Sequence, residues 1–224
     1  MTCSQQGAPM HPRHESGFTL MELMVVVLII GILYALAAPE ISEAMKNRRM
    51  TDAAVRVLAV YRDARGRAFG RGLAQIVRYE EIGSSARLQH WEGNSNSCSA
   101  SDWPNITLTA GKAPTYQDML VDHEDFSTAG TEWERSGIVL DRLSSTGAAA
   151  DASDAAFVDL CFTPLGRVFY RTDGTAPFLE TPPGGRSGYQ LRIERFDLST
   201  GDLVGVPRYV IVPTSGTPRL QVLR

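Results

Sequence analysis

Residues 18–38 read FTLMELMVVVLIIGILYALAA, 21 positions with a single formal charge, Glu22. A helix rises about 1.5 Å per residue, so the block would be roughly 30 Å long, the thickness of a bilayer core. The core helix of a soluble domain keeps a polar face, and this block shows none after Glu22. It predicts a membrane-spanning helix. A secretory signal is the competing reading, because Ala35, Ala37 and Ala38 imitate a small-x-small cut site. Such signals have apolar runs of about 7–15 residues, shorter than this one. An ionised carboxylate at mid-bilayer costs about 2.5–3.5 kcal/mol on insertion scales, and less near an interface. An acid kept inside the run is therefore a candidate functional residue that needs a positive partner.

The other residues are of a different kind. The 224-residue chain is 43% hydrophobic and 21% charged, with net charge -3. Those values exclude a collagen, a coiled-coil rod, a wholly disordered chain and a multi-pass membrane protein. They also exclude a strongly basic protein that coats nucleic acid. Beyond the block, Ile41, Met45, Val55, Leu58, Tyr61, Ala64, Arg65 and Ala68 recur mostly at three- and four-residue steps. One helix is predicted from about Thr19 to Gly70, bent rather than ended by Pro39 and stopped by Gly72. The arginines Arg56, Arg62, Arg65, Arg67, Arg71 and Arg78 are interleaved with Asp52, Asp63, Glu80 and Glu81, which reads as a solvated face.

After Gly72 the pattern changes to short alternating runs broken by Gly, Pro, Asn and Asp. Strands are predicted at 75–79, 87–91, 106–109, 137–140, 157–162, 167–171, 189–197, 208–212 and 218–223. Turns are predicted at Pro164-Leu165-Gly166, Ser199-Thr200-Gly201-Asp202 and Thr214-Ser215-Gly216, and loops at 146–154 and 175–188. The fold class is α+β: a long N-terminal helix packed on a predominantly antiparallel β-sheet head.

Gly17-Phe18-Thr19-Leu20-Met21-Glu22-Leu23 and the apolar run after it resemble the class III signal of type IV prepilins and type II secretion pseudopilins. The resemblance implies that a membrane aspartyl peptidase cuts after Gly17 and methylates the new amine of Phe18. It implies that Glu22 pairs with the Phe18 amine of a neighbouring subunit and fixes axial register. The implied organisation is a removable leader over 1–17, a transmembrane and filament-core helix over 18–38, its amphipathic extension over 39–72, and a periplasmic β-rich domain over 73–224. Lys and Arg give no support for a cytoplasmic N-terminus, since Arg13 alone precedes the block and Lys46, Arg48 and Arg49 follow it. The orientation therefore rests on the resemblance.

Three more fragments narrow it. Residues 64–72, ARGRAFGRG, resemble the helix-to-strand junction of the H-type pseudopilin and FimT/FimU minor pilin group, with Gly66 in place of a serine. Phe162-Thr163-Pro164-Leu165-Gly166-Arg167 resembles its hairpin, and residues 210–220 resemble its closing strand–turn–strand. Residues 80–156 carry no such signal. The implied function is a structural subunit that joins or primes a type IV pilus or pseudopilus at the bacterial inner membrane. Its implied partners are the prepilin peptidase, other pilins or pseudopilins, the inner-membrane assembly platform and membrane lipid. The alternative is a tip receptor for DNA, with Arg208, Arg219 and Arg224 as contacts. Gly216-Thr217-Pro218-Arg219 keeps only the last arginine of the Gly-Arg-x-Arg turn that such relatives use.

Cys3 falls in the leader, which leaves Cys98 and Cys161 in the exported part. They form either a disulfide or two buried thiols. A bridge would close a separation of 63 residues and contribute roughly 4 kcal/mol by chain entropy. Only His90 and His123 remain outside the leader, and no His/Cys spacing suits zinc. Asp122-His123-Glu124-Asp125 lacks the calcium-loop pattern and reads as a solvated loop. No nucleophile motif or phosphate-binding glycine loop is present. The expectation is no enzyme, no cofactor and no metal.

Overall fold

The computed structural model describes residues 18–83, 85–101, 103, 119–126, 133, 137–145, 157–172, 176–180, 188–215 and 217–222. Helix α1 is Leu20–Arg71. The strands are β1 Gln75–Ile82, β2 Ser85–Glu92, β3 Leu120–Asp125, β4 Ile138–Ser145, β5 Phe157–Phe162, β6 Val168–Arg171, β7 Gly188–Arg195, β8 Arg208–Pro213 and β9 Arg219–Val222. This is the predicted α+β architecture. By contacts the chain divides into two compact units, Met1–Ala44 and Met45–Arg224.

In the first unit α1 begins at a side-chain cap. The Glu22 backbone N–H donates to the Thr19 hydroxyl at 3.2 Å, and the Leu23 N–H donates to the Thr19 carbonyl at 3.2 Å. The helix is continuous through Pro39, whose missing N–H removes one ladder bond without ending it. Every side chain from Phe18 to Ala37 is exposed.

In the second unit α1 ends at Arg71, one residue past the expected position. Gly72 takes φ +70° and donates its N–H to the Ala68 carbonyl at 3.1 Å, a left-handed cap that glycine adopts without steric cost. The buried face is Met50, Ala53, Ala54, Val57, Leu58, Tyr61, Ala64 and Ala68. This corrects the predicted face, because Met45 and Val55 are exposed. The buried positions 50, 54, 57, 61, 64 and 68 follow four- and three-residue steps, and Val55 falls off that line.

All strand pairs are antiparallel. They form two sheets, one ordered β3-β2-β1-β5-β6 and the other β4-β7-β8-β9. One core holds the buried face of α1, then Val77, Tyr79, Leu88, Leu160 and Phe162 from the first sheet, and Tyr189, Leu191, Ile193, Val210 and Val212 from the second. The opposite face of the first sheet has its own cluster. Trp91, Ile76, Cys161 and Phe169 stand in register across four strands, with Cys98, Trp103 and Phe178 packed on them.

Eight of the nine predicted strands are found, seven with shifted ends and β5 with the predicted bounds. The ninth, 106–109, lies outside the described residues, as does the loop 146–154. Most of the loop 175–188 lies outside them too, and its last residue, Gly188, begins β7. Gly166 closes the β5–β6 turn with φ +79° and donates its N–H to the Thr163 carbonyl at 2.9 Å. The turn after β7 closes with the Gly201 N–H on the Asp197 carbonyl at 2.7 Å. Asp122-His123-Glu124-Asp125 is a correction: these residues lie in edge strand β3, not in a loop. Glu124 meets Arg56 at 3.7 Å and Asp125 meets Arg87 at 3.7 Å, so neighbouring cations offset the acids, and charge suits a sheet edge.

Candidate functional site

The first turn of a helix leaves backbone N–H groups without intrahelical partners, and lipid offers no water to satisfy them. Thr19 covers one of these groups, and Glu22 is the acid of the first turn, at the positive end of the helix dipole. Thr19 is missing from the sequence-based candidates, although Thr-x-x-Glu is the capping-box spacing. Phe18 and Glu22 are both exposed, and Gly17 lies outside the described residues. The segment therefore presents Phe18 and one carboxylate, four positions apart, at the head of an apolar helix. Among the described residues α1 is the one helix long and apolar enough to cross a membrane.

The structure joins Cys98 and Cys161 in a disulfide with Cα atoms 6.1 Å apart. Cys161 lies in β5, while Cys98 lies in the segment that follows β2. That segment has its own bonding: the Trp103 indole N–H donates to the Cys98 carbonyl at 2.6 Å, and the Ser101 hydroxyl donates to the Ser97 carbonyl at 2.9 Å.

The arginines do not form a single solvated face. Arg78 is buried, and its guanidinium donates to both Asp159 carboxylate oxygens, at 2.6 and 2.8 Å. Arg171 Nε donates to the same carboxylate at 2.8 Å, and its guanidinium lies 4.5 Å from the Phe178 ring centre. Arg67 pairs with Asp63 at 2.8 Å and Arg71 with Glu92 at 3.0 Å. Arg56 lies over the Trp133 ring at 5.1 Å. Sequence spacing gives no sign of the Arg78–Asp159–Arg171 group, whose members come from three strands.

His90 is fully buried, with Nε2 2.9 Å from Gln75 Oε1 and Nδ1 3.6 Å from Asp63. Burial pushes the imidazole down to about 4, against the opposing pull of Asp63. It therefore stays neutral near pH 7. Among the described residues no group of three His, Cys, Asp or Glu side chains could hold a metal ion.

The structure does not bring the suggested DNA contacts together. Arg208 stands opposite Val222, and Arg219 stands opposite Ile211. Side chains alternate along a strand, so Arg208 and Arg219 point to opposite faces of the sheet. Arg224 lies outside the described residues.

Comparison with known proteins points to the same N-terminal segment. Residues 12–38 match the prokaryotic N-terminal methylation motif. The fimbrial protein EcpC of Eikenella corrodens is 29% identical over 135 residues, 60% of this chain and 67% of that protein. The type II secretion system core protein G of Pseudomonas aeruginosa is 48% identical over 42 residues. That match covers 19% of this chain and 30% of the relative. No solved structure matches.

Proposed function

We propose that this type IV pilin-like chain is a minor pilin or H-type pseudopilin, a structural subunit rather than an enzyme. The observation that carries the reading is Glu22, the one acid in an exposed apolar run, four residues after Phe18 at a capped helix start. The methylation motif over residues 12–38 and the two relatives support it. In this reading a prepilin peptidase cuts between Gly17 and Phe18 and methylates Phe18. The helix then holds the subunit in the inner membrane with the β-rich head in the periplasm. The carboxylate of Glu22 receives the Phe18 ammonium of an adjacent subunit, which offsets its desolvation and sets register as the assembly platform extracts the subunit.

The test replaces Glu22 with Ala and, separately, Gly17 with Leu. Glu22→Ala should leave the leader cut and reduce incorporation into filaments. Gly17→Leu should leave the leader attached, read by intact mass on membranes. Normal filament or secretion output from Glu22→Ala would remove the assembly role.

A further inference from the structure

Two arginines near the C-terminal end of α1 are not engaged like the others. Arg62 Nε donates to the Pro218 carbonyl at 3.2 Å, and Arg65 Nη1 donates to the Thr217 hydroxyl at 3.0 Å. Arg56, Arg67, Arg71 and Arg78 each have a carboxylate within 4.0 Å. Arg62 and Arg65 have none among the described residues. A guanidinium carries five N–H donors, so most of theirs remain to be satisfied by water or a ligand.

Both arginines line a groove of about 480 Å³ whose rim carries Phe69 and Leu165. These are the two most exposed large apolar side chains among the described residues, at 79% and 88%. Part of the groove is backbone, from Gly66 on α1 and Gly166 in the β5–β6 turn. The Gly166 N–H bond to Thr163 and its left-handed φ fix that turn, so Leu165 is held at its tip before any partner arrives.

We propose that this groove docks an acidic polypeptide segment of a partner protein, with carboxylates on Arg62 and Arg65 and an apolar side chain covering Phe69 and Leu165. Charge complementarity selects the occupant. Two cations without carboxylates call for anions, and two exposed apolar groups call for apolar cover. A segment with Asp or Glu beside Leu or Phe supplies both. A nucleic-acid backbone supplies only the anions, and phosphate-driven binding uses several cations at once.

The experiment uses the full chain in detergent micelles and a fluorescein-labelled peptide of alternating Glu and Leu ending in Phe. Its controls are the same peptide with Lys for Glu and a short DNA duplex. The acidic peptide should raise anisotropy saturably, and the Lys peptide should not. Arg62→Glu/Arg65→Glu should weaken binding at least about tenfold, because it replaces attraction with repulsion. Leu165→Ser, at an exposed turn tip that does not endanger the fold, should weaken it about threefold through lost apolar cover. Equal affinity for the wild type and the double arginine variant would overturn the proposal. So would binding of the duplex more tightly than the acidic peptide.

Discussion

Asp159 on β5 accepts both hydrogen bonds of the Arg78 guanidinium fork on β1, at 2.6 and 2.8 Å, and the two residues are register partners. Arg171 on β6, also in register with Asp159, adds a third bond at 2.8 Å. One fully buried carboxylate thus ties three neighbouring strands. Asp159→Asn keeps the shape and removes the charge that both buried guanidinium groups bind. Stability should fall by about 3–5 kcal/mol. Tryptophan fluorescence during urea unfolding of the detergent-held chain reads the loss, and an unchanged midpoint would refute the tie.

The Cys98–Cys161 bridge closes a 63-residue separation beside the Trp91–Ile76–Cys161–Phe169 row. Cys98→Ser with Cys161→Ser should lower stability by about 2–5 kcal/mol. In the unaltered chain Cys98 and Cys161 should resist thiol alkylation in denaturant until the bridge is reduced. Mass mapping of the two peptides with and without reductant checks the pairing, and labelling of both cysteines before reduction would contradict it.

Gly137 precedes β4 with φ +65°, and a Cβ there would sit 2.1 Å from the Phe196 carbonyl oxygen. The Phe196 N–H also donates to the Gly137 carbonyl at 2.8 Å, so the two backbones cannot separate without losing that bond. Gly137→Ala therefore combines a left-handed penalty of about 1–2 kcal/mol with a backbone clash. The cost should exceed about 2 kcal/mol. A thermal midpoint within a degree of the parent would sink this prediction.

His90 links stability to pH. Its folded value of about 4 lies below the ordinary 6.5 because burial disfavours the imidazolium. The unfolded chain therefore takes up a proton below pH 6.5 that the folded chain refuses until about pH 4. This contribution is constant above pH 6.5 and falls as pH drops from 6.5 to 4. The loss reaches about 2 kcal/mol at pH 5. His90→Gln should flatten that part of the profile in urea titrations at pH 7 and 5, whereas an unchanged slope would assign the dependence to other groups.

Sequence pattern makes α1 legible because its signals agree: an unbroken apolar run, a three- and four-residue repeat, and a glycine where the left-handed cap falls. β5 is legible because Phe157–Phe162 is a compact apolar run ended by a proline turn. Strand β3 is not, since its acids look like loop residues until Arg56 and Arg87 are placed beside them. The buried Arg78–Asp159–Arg171 group is invisible for the same reason: each charge looks solvated alone. The division into two sheets is also hidden, because alternation marks which side a residue faces and not which strand it meets. At the N-terminus, Phe18 and Glu22 stand out by composition, whereas Thr19 becomes informative only as the acceptor of the Glu22 N–H.

The strand order sets the timing of folding. β1 lies between β2, which follows it at once, and β5, about eighty residues further along the chain. The hairpin β1–β2 can form early, but the central strand stays open on its other side until β5 has been made and delivered. Pairings between distant segments carry a loop-closure cost before any contact is gained, so they form late. Until then the alanine face of α1 has only half its cover. A chain interrupted before β5 would thus leave one edge of β1 unpaired and part of that face uncovered.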